Sequence, residues 1–581
     1  MSNTPLDFKK HKSDCVAREV GFMWQRWNSQ RRGWLDEKKE LRNYIFATDT
    51  TTTSNSALPW KNKTTLPKLC QIRDNLHSNY LSALFPNDEW LRWEGYSPDD
   101  ATKDKRKAIQ AYMGNKCRTG GFREVASQLL YDYIDYGMAV TMADFEANSR
   151  EDALGRTIVG YIGPKARRIS PVDIVFNPLA ASFEESPKIV RSLVTYGEIA
   201  ARAENEPDNA FFKKILKERE KLKQNIAGYA FDENEKWEGF QMDGFGSYEE
   251  YLSCGYVELL TFYGDIYDQD NNKLLKGRRI VVMDRMWTIE DDEIPQWLGN
   301  SPIYMAGWRK RPDNLYPMGP LDNLVGMQYR IDHLENSKAD AYDLAIHPPL
   351  VIVGEVEEFV YGPGAEIHLD EQGTVTELAR NTQWVLQADN AISLLEQRME
   401  MYAGAPREAM GIRTAGEKTA FEVQQLQNAA GRIFQEKITT FEIELMEKLL
   451  NAMLETSVRN MNASDVIRTI DESLGVEAFM TVTREDIVAN GVLRPIGARH
   501  FAAQAQMMQT LTQLYSTPIG QMVAPHTSTI QMAKFVEDLL GVERYKLFRP
   551  NVGVMEAQET QGLIQQAGEN LEVEQQAPVV A

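Results

Sequence analysis

One glycine-bounded loop contains the residue types of a phosphate-binding site. Residues 411–419 run Gly-Ile-Arg-Thr-Ala-Gly-Glu-Lys-Thr, so a lysine and a threonine follow two glycines. A P-loop needs its lysine directly after the second glycine, where the amine reaches the β- and γ-phosphates, and it needs a preceding strand. Here Glu417 separates Gly416 from Lys418, and a helical pattern precedes the loop. We therefore expect no nucleotide to bind at this loop.

The sequence lacks the other common signatures of catalysis and metal binding. It has no HExxH, no GxSxG and no GxGxxG after a strand, and its seven histidines are dispersed. Its four cysteines are far apart without zinc-site spacing, a pattern typical of reduced thiols in a cytosolic protein. We expect no enzyme activity and no catalytic, cofactor or metal site.

Carboxylate pairs are plentiful, and Glu357/Glu358 and Asp291/Asp292 are examples. Pairs at this density are typical of a solvated surface. The alternative is a metal-dependent nuclease that uses an acidic cluster in residues 355–371, since paired carboxylates can hold catalytic divalent ions. Two short basic clusters, Arg31/Arg32 and residues 309–311, indicate surface or subunit contacts rather than a nucleic-acid footprint.

Length and composition indicate a folded protein with several structural regions. The 581 residues are 43% hydrophobic and include 23 Tyr, 22 Phe and 11 Trp, which are too many for a disordered chain. A formal charge of −20 argues against electrostatic coating of nucleic acid or membrane over the whole surface. Residues 1–18 are polar, and no apolar run approaches the roughly 20 residues that span a bilayer, so we expect no membrane insertion.

The negative charge is concentrated in residues 319–404, which contain fifteen Asp or Glu residues and only four Arg or Lys residues. One interpretation is a solvated acidic surface. The other is a wall that repels phosphates, so that a polyanion slides past it without sticking.

The elements around this acidic segment follow from hydrophobic periodicity. The N-terminal part predicts helices over residues 14–46, 68–84 and 101–135, followed by antiparallel strands that include a hairpin of residues 257–263 and 279–283. Proline at position 320 suits the first turn of a helix over residues 320–346, and His347-Pro348-Pro349 ends it. A second helix is predicted over residues 390–401.

Between these two helices the pattern predicts short strands at residues 350–353, 366–369, 375–378 and 384–386. After the second helix, residues 404–416 are too rich in Gly, Pro and Arg for regular structure. A long helix is predicted over residues 419–459, which would extend about 60 Å.

With these elements in place, the chain resembles the portal proteins, the head-to-tail connectors of short-tailed bacteriophages. The resemblance extends to about Asn551, and no part of it is a catalytic signature. Its most specific segments are residues 62–68 (Asn-Lys-Thr-Thr-Leu-Pro-Lys) with 84–86 (Leu-Phe-Pro), 168–173 (Arg-Ile-Ser-Pro-Val-Asp), 307–309 (Gly-Trp-Arg), 318–322 (Met-Gly-Pro-Leu-Asp) and 413–422 (Arg-Thr-Ala-Gly-Glu-Lys-Thr-Ala-Phe-Glu).

The resemblance implies an α+β, mostly helical, ring-forming fold with a wing, a two-helix stem, an α/β clip, a tunnel loop and a helical crown. By order along the chain, the implied regions are the N-terminal wing of helices and then antiparallel strands (1–318), first stem helix (319–346), clip (347–389), second stem helix (390–404), tunnel loop (405–418), long wing helix with the remaining wing (419–529), and crown with C-terminal tail (530–581).

The implied function is a structural ring of twelve copies at one capsid vertex, through which double-stranded DNA passes during packaging and ejection. The implied partners are a terminase that supplies the hydrolytic energy, scaffolding and coat proteins, and tail adaptor proteins. The ring would be assembled in the cytoplasm of the host bacterium and remain in the virion. The candidate channel residues are Arg407, Arg413, Lys418, Glu396 and Glu400, and the candidate docking residues of the clip are Glu355, Glu357 and Glu358.

Two alternatives from other classes remain open. One is the metal-dependent nuclease described above. The other is an intracellular scaffold with no relation to phages.

Overall fold

The computed structural model describes residues 14–85, 90–100, 102–151, 157–205, 210–225, 255–268, 273–285, 287–294, 302–346, 350–354, 373–377, 383–403, 435–461, 465–470 and 477–495. The chain divides into a large unit, Met1–Ser82 with Cys117–Ser457, and a small unit, Ala83–Lys116 with Val458–Ala581. Helices and antiparallel strands both contribute, which confirms the predicted α+β class.

The helices are α1 (Asp14–Gln30), α2 (Arg32–Ile45), α3 (Lys68–Leu84), α4 (Lys103–Thr119), α5 (Phe122–Asp135), α6 (Tyr196–Asn205), α7 (Ala210–Asn225), α8 (Val325–Ile346), α9 (Gln383–Tyr402), α10 (residues 435–460) and α11 (Arg484–Ile487). Within α10, Glu442–Glu447 forms a π-helical turn before Lys448–Asn460.

The strands are β1 (Leu91–Gly95), β2 (Met138–Glu151), β3 (Thr157–Ile169), β4 (Ile174–Phe176), β5 (Lys188–Thr195), β6 (Tyr256–Asp268), β7 (Lys273–Met283), β8 (Trp287–Glu293), β9 (Ile303–Gly307), β10 (Arg309–Arg311), β11 (Asn314–Met318), β12 (Leu350–Val353), β13 (Thr374–Glu377), β14 (Asp465–Ile470), β15 (Glu477–Val482) and β16 (Gly491–Pro495).

A five-stranded antiparallel sheet of order β4-β5-β6-β7-β8 forms one core of the large unit. Successive side chains of a strand point to opposite faces, so both faces of this apolar sheet need a cover. Trp24 and Trp27 of α1 pack with Leu260 and Phe262 on one face. Helices α6 and α7 cover the other face, which includes Leu259. The predicted hairpin is confirmed as the β6–β7 pair.

A second, three-stranded sheet of order β3-β2-β9 connects this core to the acidic segment. Strand β2 begins after Gly137, whose φ of +75° lies in the left-handed region that favours glycine. A Cβ on Gly137 would lie 2.5 Å from the backbone nitrogen of Gly319. This close approach places the chain entering α8 directly against the α5–β2 turn.

Two predicted elements have different boundaries in the structure. The helical pattern over residues 14–46 is interrupted at Arg31 and forms two helices. Residues 384–386, predicted as a strand, belong to α9, so that prediction was wrong. A short apolar run cannot by itself distinguish a strand from a helical segment.

The small unit contains two antiparallel strand pairs in its described part, β1 with β16 and β14 with β15. The short helix α11 follows β15 in the same unit. A capping box of Thr483 and Asp486 begins α11, which places the helix start by side-chain hydrogen bonds.

The prediction that Arg31 is a surface or subunit contact was wrong, because its side chain is buried. Its Nη1 donates to the carbonyl oxygens of Pro171 at 2.9 Å and Ile174 at 2.6 Å, and its Nη2 donates to that of Val172. Arg31 therefore holds the turn before β4 against the break between α1 and α2.

We expect Arg31→Met to lower the free energy of unfolding by about 3 kcal/mol, because several buried carbonyls lose charge-assisted hydrogen bonds. Arg32→Met is the matched control, since the neighbouring Arg32 is exposed. Urea unfolding followed by tryptophan fluorescence measures the difference, and equal midpoints for the two variants would contradict this role of Arg31.

Lys188 of β5 supplies a pH-dependent contribution to stability. It is fully buried, its Nζ donates to the carbonyls of Ser186 at 2.9 Å and Glu184 at 3.1 Å, and it lies 4.6 Å from the Phe183 ring centroid. Burial lowers the pKa of Lys188 to about 8, although the Glu184 carboxylate acts in the opposite direction.

The cost of charging Lys188 is fully present below pH 8 and disappears as the pH rises towards about 10.4, the pKa of an unfolded lysine. We therefore expect the free energy of unfolding to rise over this range by up to about 3 kcal/mol relative to Lys188→Met. Unfolding of both proteins across the range measures it, with the exposed Lys39→Met as the control. Parallel pH profiles for the parent and Lys188→Met would refute the expectation.

Candidate functional site

Helices α8 and α9 form an antiparallel pair, called the helix pair below. Lys338 of α8 binds Asp389 near the start of α9 at 2.9 Å. At the other end of the pair, Leu66 contacts Gln328 and Asp332 of α8. Lys68, two residues later, binds Glu400 of α9, so this end of α8 lies near Glu400. Residue numbers thus rise along α8 as they fall along α9, and the chain returns to its starting level.

The helix pair agrees with the prediction of two helices that flank an insert. Helix α8 ends at residue 346 as predicted, but begins at Val325 after a 3₁₀ turn over Asp322–Leu324. The Asp322 carboxylate accepts from the Gly319 backbone N–H at 2.7 Å and binds the buried Lys38. Helix α9 begins seven residues earlier than predicted.

Strands β12 and β13 lie between the two helices and pair in antiparallel register, from Leu350 opposite Glu377 to Val353 opposite Thr374. Both were predicted as strands, at 350–353 and 375–378, and the first matches in full. The predicted strand at 366–369 lies outside the described residues, as do the clip candidates Glu355, Glu357 and Glu358.

An extended segment, residues 61–68, lies along the helix pair and is called the strap. Residues 62–67 have no regular secondary structure, so their backbone groups need partners from elsewhere. Asn336 supplies two of them: its Oδ1 accepts from the Thr64 N–H and its Nδ2 donates to the Thr64 carbonyl, both at 2.7 Å. The side-chain amide of Asn336 thus makes the two backbone hydrogen bonds that a residue of a neighbouring strand would make.

Asp332 and Gln328 continue this pairing one and two turns earlier along α8. The Asp332 carboxylate accepts from the Leu66 N–H at 3.1 Å and from the Thr65 hydroxyl at 2.9 Å. Gln328 Nε2 donates to the Leu66 carbonyl at 2.6 Å. Burial raises the pKa of Asp332, and the hydrogen bonds from the strap and Gln328 oppose that shift.

Asp340 and Asp343 hold the beginning of the strap. Asp340 accepts from the backbone N–H groups of Lys61 and Asn62, at 3.3 and 3.1 Å. The Asn62 side-chain amide donates to both aspartates at 2.8 Å. Positions 328, 332, 336 and 340 recur every four residues, so they form one polar stripe that winds slowly around α8.

Lys68 joins the end of the strap to the second helix. Its Nζ binds Glu400 at 2.6 Å, and both side chains are only 6% exposed. Glu400 was a candidate channel residue, yet its carboxylate is buried against the strap. Glu396 is partly exposed and lies one turn earlier, about 40° around the helix from Glu400 and therefore on the same side.

These contacts account for much of the acidic segment. Of its fifteen carboxylates, seven make hydrogen bonds or ion pairs within the chain: Asp322, Asp332, Glu335, Asp340, Asp343, Asp389 and Glu400. Seven further side chains lie outside the described part, and Glu396 is the remaining one. On the described helices, the negative charge is mostly used to bind the strap and to join the two helices.

The surface of this region is instead apolar at many points. Seven large hydrophobic side chains between residues 342 and 402 are exposed, by 45–68%: Tyr342, Ile346, Val351, Val353, Leu394, Met401 and Tyr402. Exposed apolar patches often mark contacts with other molecules, so these side chains are candidates for such a contact.

The positively charged candidates lie outside the described residues: Arg407, Arg413 and Lys418 all fall within 404–434. The described part of the chain contains no group of three or more His, Cys, Asp or Glu side chains placed to hold a metal ion. Cys70 and Cys117 are free thiols. Among the helices that the structure describes, none is both long enough and apolar enough to cross a membrane.

Sequence reasoning identified residues 62–68 as a specific segment but missed their contacts with α8. The signal was present in the four-residue recurrence of Gln328, Asp332, Asn336 and Asp340. The two interpretations of the acidic segment, a solvated surface and a wall that repels phosphates, both leave out an extended segment that covers these residues.

Comparison with known proteins adds nothing to these observations. No model of a known protein family matches the chain, and no curated protein matches it in sequence.

We expect Lys68→Met to destabilise the large unit by about 3–5 kcal/mol, because it removes the ammonium paired with the buried Glu400. Lys61→Met is the control, since Lys61 is exposed and contacts Asp340 through its backbone. Urea unfolding measures both variants. Adding Glu400→Leu to Lys68→Met should recover most of the loss, and the absence of any recovery would contradict the importance of this ion pair.

Proposed function

We propose that the chain is a phage portal protein, with a fold of wing, stem, clip, tunnel loop and crown. Twelve copies form a ring at one capsid vertex, and double-stranded DNA passes through the ring during packaging and ejection. The ring has no enzymatic activity. A separate terminase, with scaffolding, coat and tail adaptor proteins, completes the assembly in the host cytoplasm, and the ring stays in the virion.

The observation that carries this proposal is the exposed apolar surface of the helix pair and its hairpin. The strap and the Lys68–Glu400 ion pair fix one side of the pair. Leu394 and Met401 lie about 100–120° around α9 from Glu400, and they are 48% and 59% exposed. A rigid element with apolar side chains that the described part of its own chain leaves uncovered suits contact with a neighbouring copy.

The β12–β13 hairpin supports the same proposal. A two-stranded sheet is marginally stable alone and has two edges of unpaired backbone groups. Val351 and Val353 are exposed on it. Strand pairing between the hairpins of adjacent copies would stabilise each hairpin and give its edge backbone groups hydrogen-bond partners. A head-to-tail contact of this kind closes into a ring by rotation.

The order of elements also agrees with the family that the sequence resembles. A helix, a strand-containing insert and a returning helix precede the Gly-, Pro- and Arg-rich residues 404–416 of the sequence and then α10. In this arrangement the insert is the docking clip, with Glu355, Glu357 and Glu358 available to partners. Arg407, Arg413 and Lys418 of the loop are the cations that touch passing phosphates.

We expect Leu394→Asp to prevent ring assembly without unfolding the protein, because it places a carboxylate in the contact between copies. Leu274→Asp is the matched control, since Leu274 is also 48% exposed but lies in β7. Light scattering after size-exclusion chromatography measures the mass, and negative-stain images show the symmetry.

A parent protein that stays monomeric at all salt concentrations would contradict the proposal. So would cation-dependent DNA cleavage that Glu357→Ala and Glu358→Ala abolish, because that result would favour the nuclease.

A further inference from the structure

A cleft of about 420 Å³ lies where the break between α1 and α2 meets the turn after β4 and the β10–β11 hairpin. Trp34 of α2, Leu179 of the turn and Arg311 of the hairpin each contribute to its lining. Ligand sites in proteins usually occupy about 300–1,000 Å³, so the cleft is large enough to bind a ligand. We call it the Trp34 cleft.

The three walls of the Trp34 cleft are bound to one another. The indole N–H of Trp34 donates to the Pro317 carbonyl at 3.2 Å, which joins α2 to the hairpin. The Leu315 backbone N–H donates to the Pro178 carbonyl at 2.9 Å, which joins the hairpin to the turn. Arg31 joins the helix break to the first residue of β4 through a carbonyl at 2.6 Å. Because the walls are already fixed, a ligand does not have to order them, and this lowers the cost of binding.

Leu179 gives the cleft an exposed apolar side chain. It is 75% exposed, although it lines the cleft together with Trp34 and Tyr316. Its backbone N–H donates to the Asn177 side chain at 3.1 Å, so the turn fixes the point from which the side chain leaves the backbone. Gly33 leaves space in the same lining, since no heavy atom of the described residues lies within 4 Å of where its Cβ would be. An apolar group of a ligand can therefore pack here.

Two residues of opposite charge line the Trp34 cleft without pairing. Glu37 of α2 and Arg311 of β10 are both exposed. Arg311 Nη2 donates to the Tyr316 carbonyl at 3.1 Å. In the part of the chain that the structure describes, neither Glu37 nor Arg311 forms an ion pair. A ligand that brings a base to Glu37 and an acid to Arg311 complements both charges.

We propose that the Trp34 cleft binds an extended peptide segment of a partner protein. An apolar side chain of the peptide packs against Leu179 and Trp34, and an acidic and a basic side chain on either side of it face Arg311 and Glu37. Small ligands are buried over about 70–90% of their surface, which requires an enclosed pocket. Here Glu37, Leu179 and Arg311 are all exposed, so a longer chain can enter and leave the cleft. The cleft belongs to one copy, and the inference does not depend on the proposed ring.

The test uses the full-length protein and an array of five-residue peptides that are acetylated and amidated at their ends. Each peptide has leucine at the centre and aspartate, lysine or alanine on either side. The peptides that bind are then labelled with fluorescein, and their affinities are measured in solution by anisotropy. We expect the parent to bind peptides with one aspartate and one lysine most tightly, and peptides with alanine on both sides most weakly.

Charge reversal assigns the two contacts. Arg311→Glu should weaken binding of the best peptide about tenfold or more, because a hydrogen bond between charged groups is lost. Replacing the aspartate of that peptide by lysine should restore its binding to this variant. Glu37→Lys should respond in the same way to replacement of the peptide's lysine by aspartate. The matched controls are Arg32→Glu and Asp36→Lys, which change exposed charges outside the lining and should bind as the parent does.

Leu179→Ser tests the apolar contact separately. The substitution should leave the fold intact, because the side chain is 75% exposed. We expect it to weaken binding of every leucine-centred peptide while the preference for one aspartate and one lysine remains. Urea unfolding of each variant, compared with the parent, shows that the fold is unchanged.

Three results would overturn the inference. The first is a parent protein that binds no peptide of the array. The second is binding of free leucine as tightly as the best peptide, because the cleft would then be a site for a small molecule. The third is equal weakening by Arg311→Glu and Arg32→Glu, because that result would reflect net charge alone.

Discussion

The position of the helix pair depends on how one extended segment satisfies its backbone hydrogen bonds. No strand among the described residues pairs with the strap, and buried backbone groups without partners are costly. Side chains on α8 replace the missing strand, with Asn336 bonding to both backbone groups of Thr64. Because Lys68 then binds Glu400, the same segment fixes both helices at once. The direction in which the pair projects its hairpin follows from these few contacts.

Because carboxylates of α8 bind the strap, the net negative charge of residues 319–404 does not by itself indicate an acidic surface. The composition of residues 319–404 indicated an acidic surface, but composition does not say which way a carboxylate points. A carboxylate that accepts backbone N–H bonds, as Asp332 and Asp340 do, contributes less to the field outside than an exposed one. The described helices therefore expose several apolar side chains, among them Leu394 and Met401, although the segment is strongly negative overall.

The sequence predicted those elements whose pattern is local. The β6–β7 hairpin, strand β12 and the end of α8 match their predictions, because alternation, turns and proline act over a few residues. Features set by distant contacts were missed. Arg31 appeared to be a surface cation because the carbonyls that bury it are about 140 residues away. Residues 384–386 favour a strand by composition, but they continue the helical period of α9.

The π-helical turn at Glu442–Glu447 has a consequence for the long helix α10. A π turn accommodates one extra residue, so everything after it is rotated by about 100° relative to an uninterrupted helix. Phe441 before the turn and Leu449 after it are both buried. The extra residue thus aligns the buried side of the segment before the turn with the buried side of the segment after it. Deleting one residue of the turn would leave both helical segments intact, but it would rotate the buried side of one segment away from the residues that it packs against.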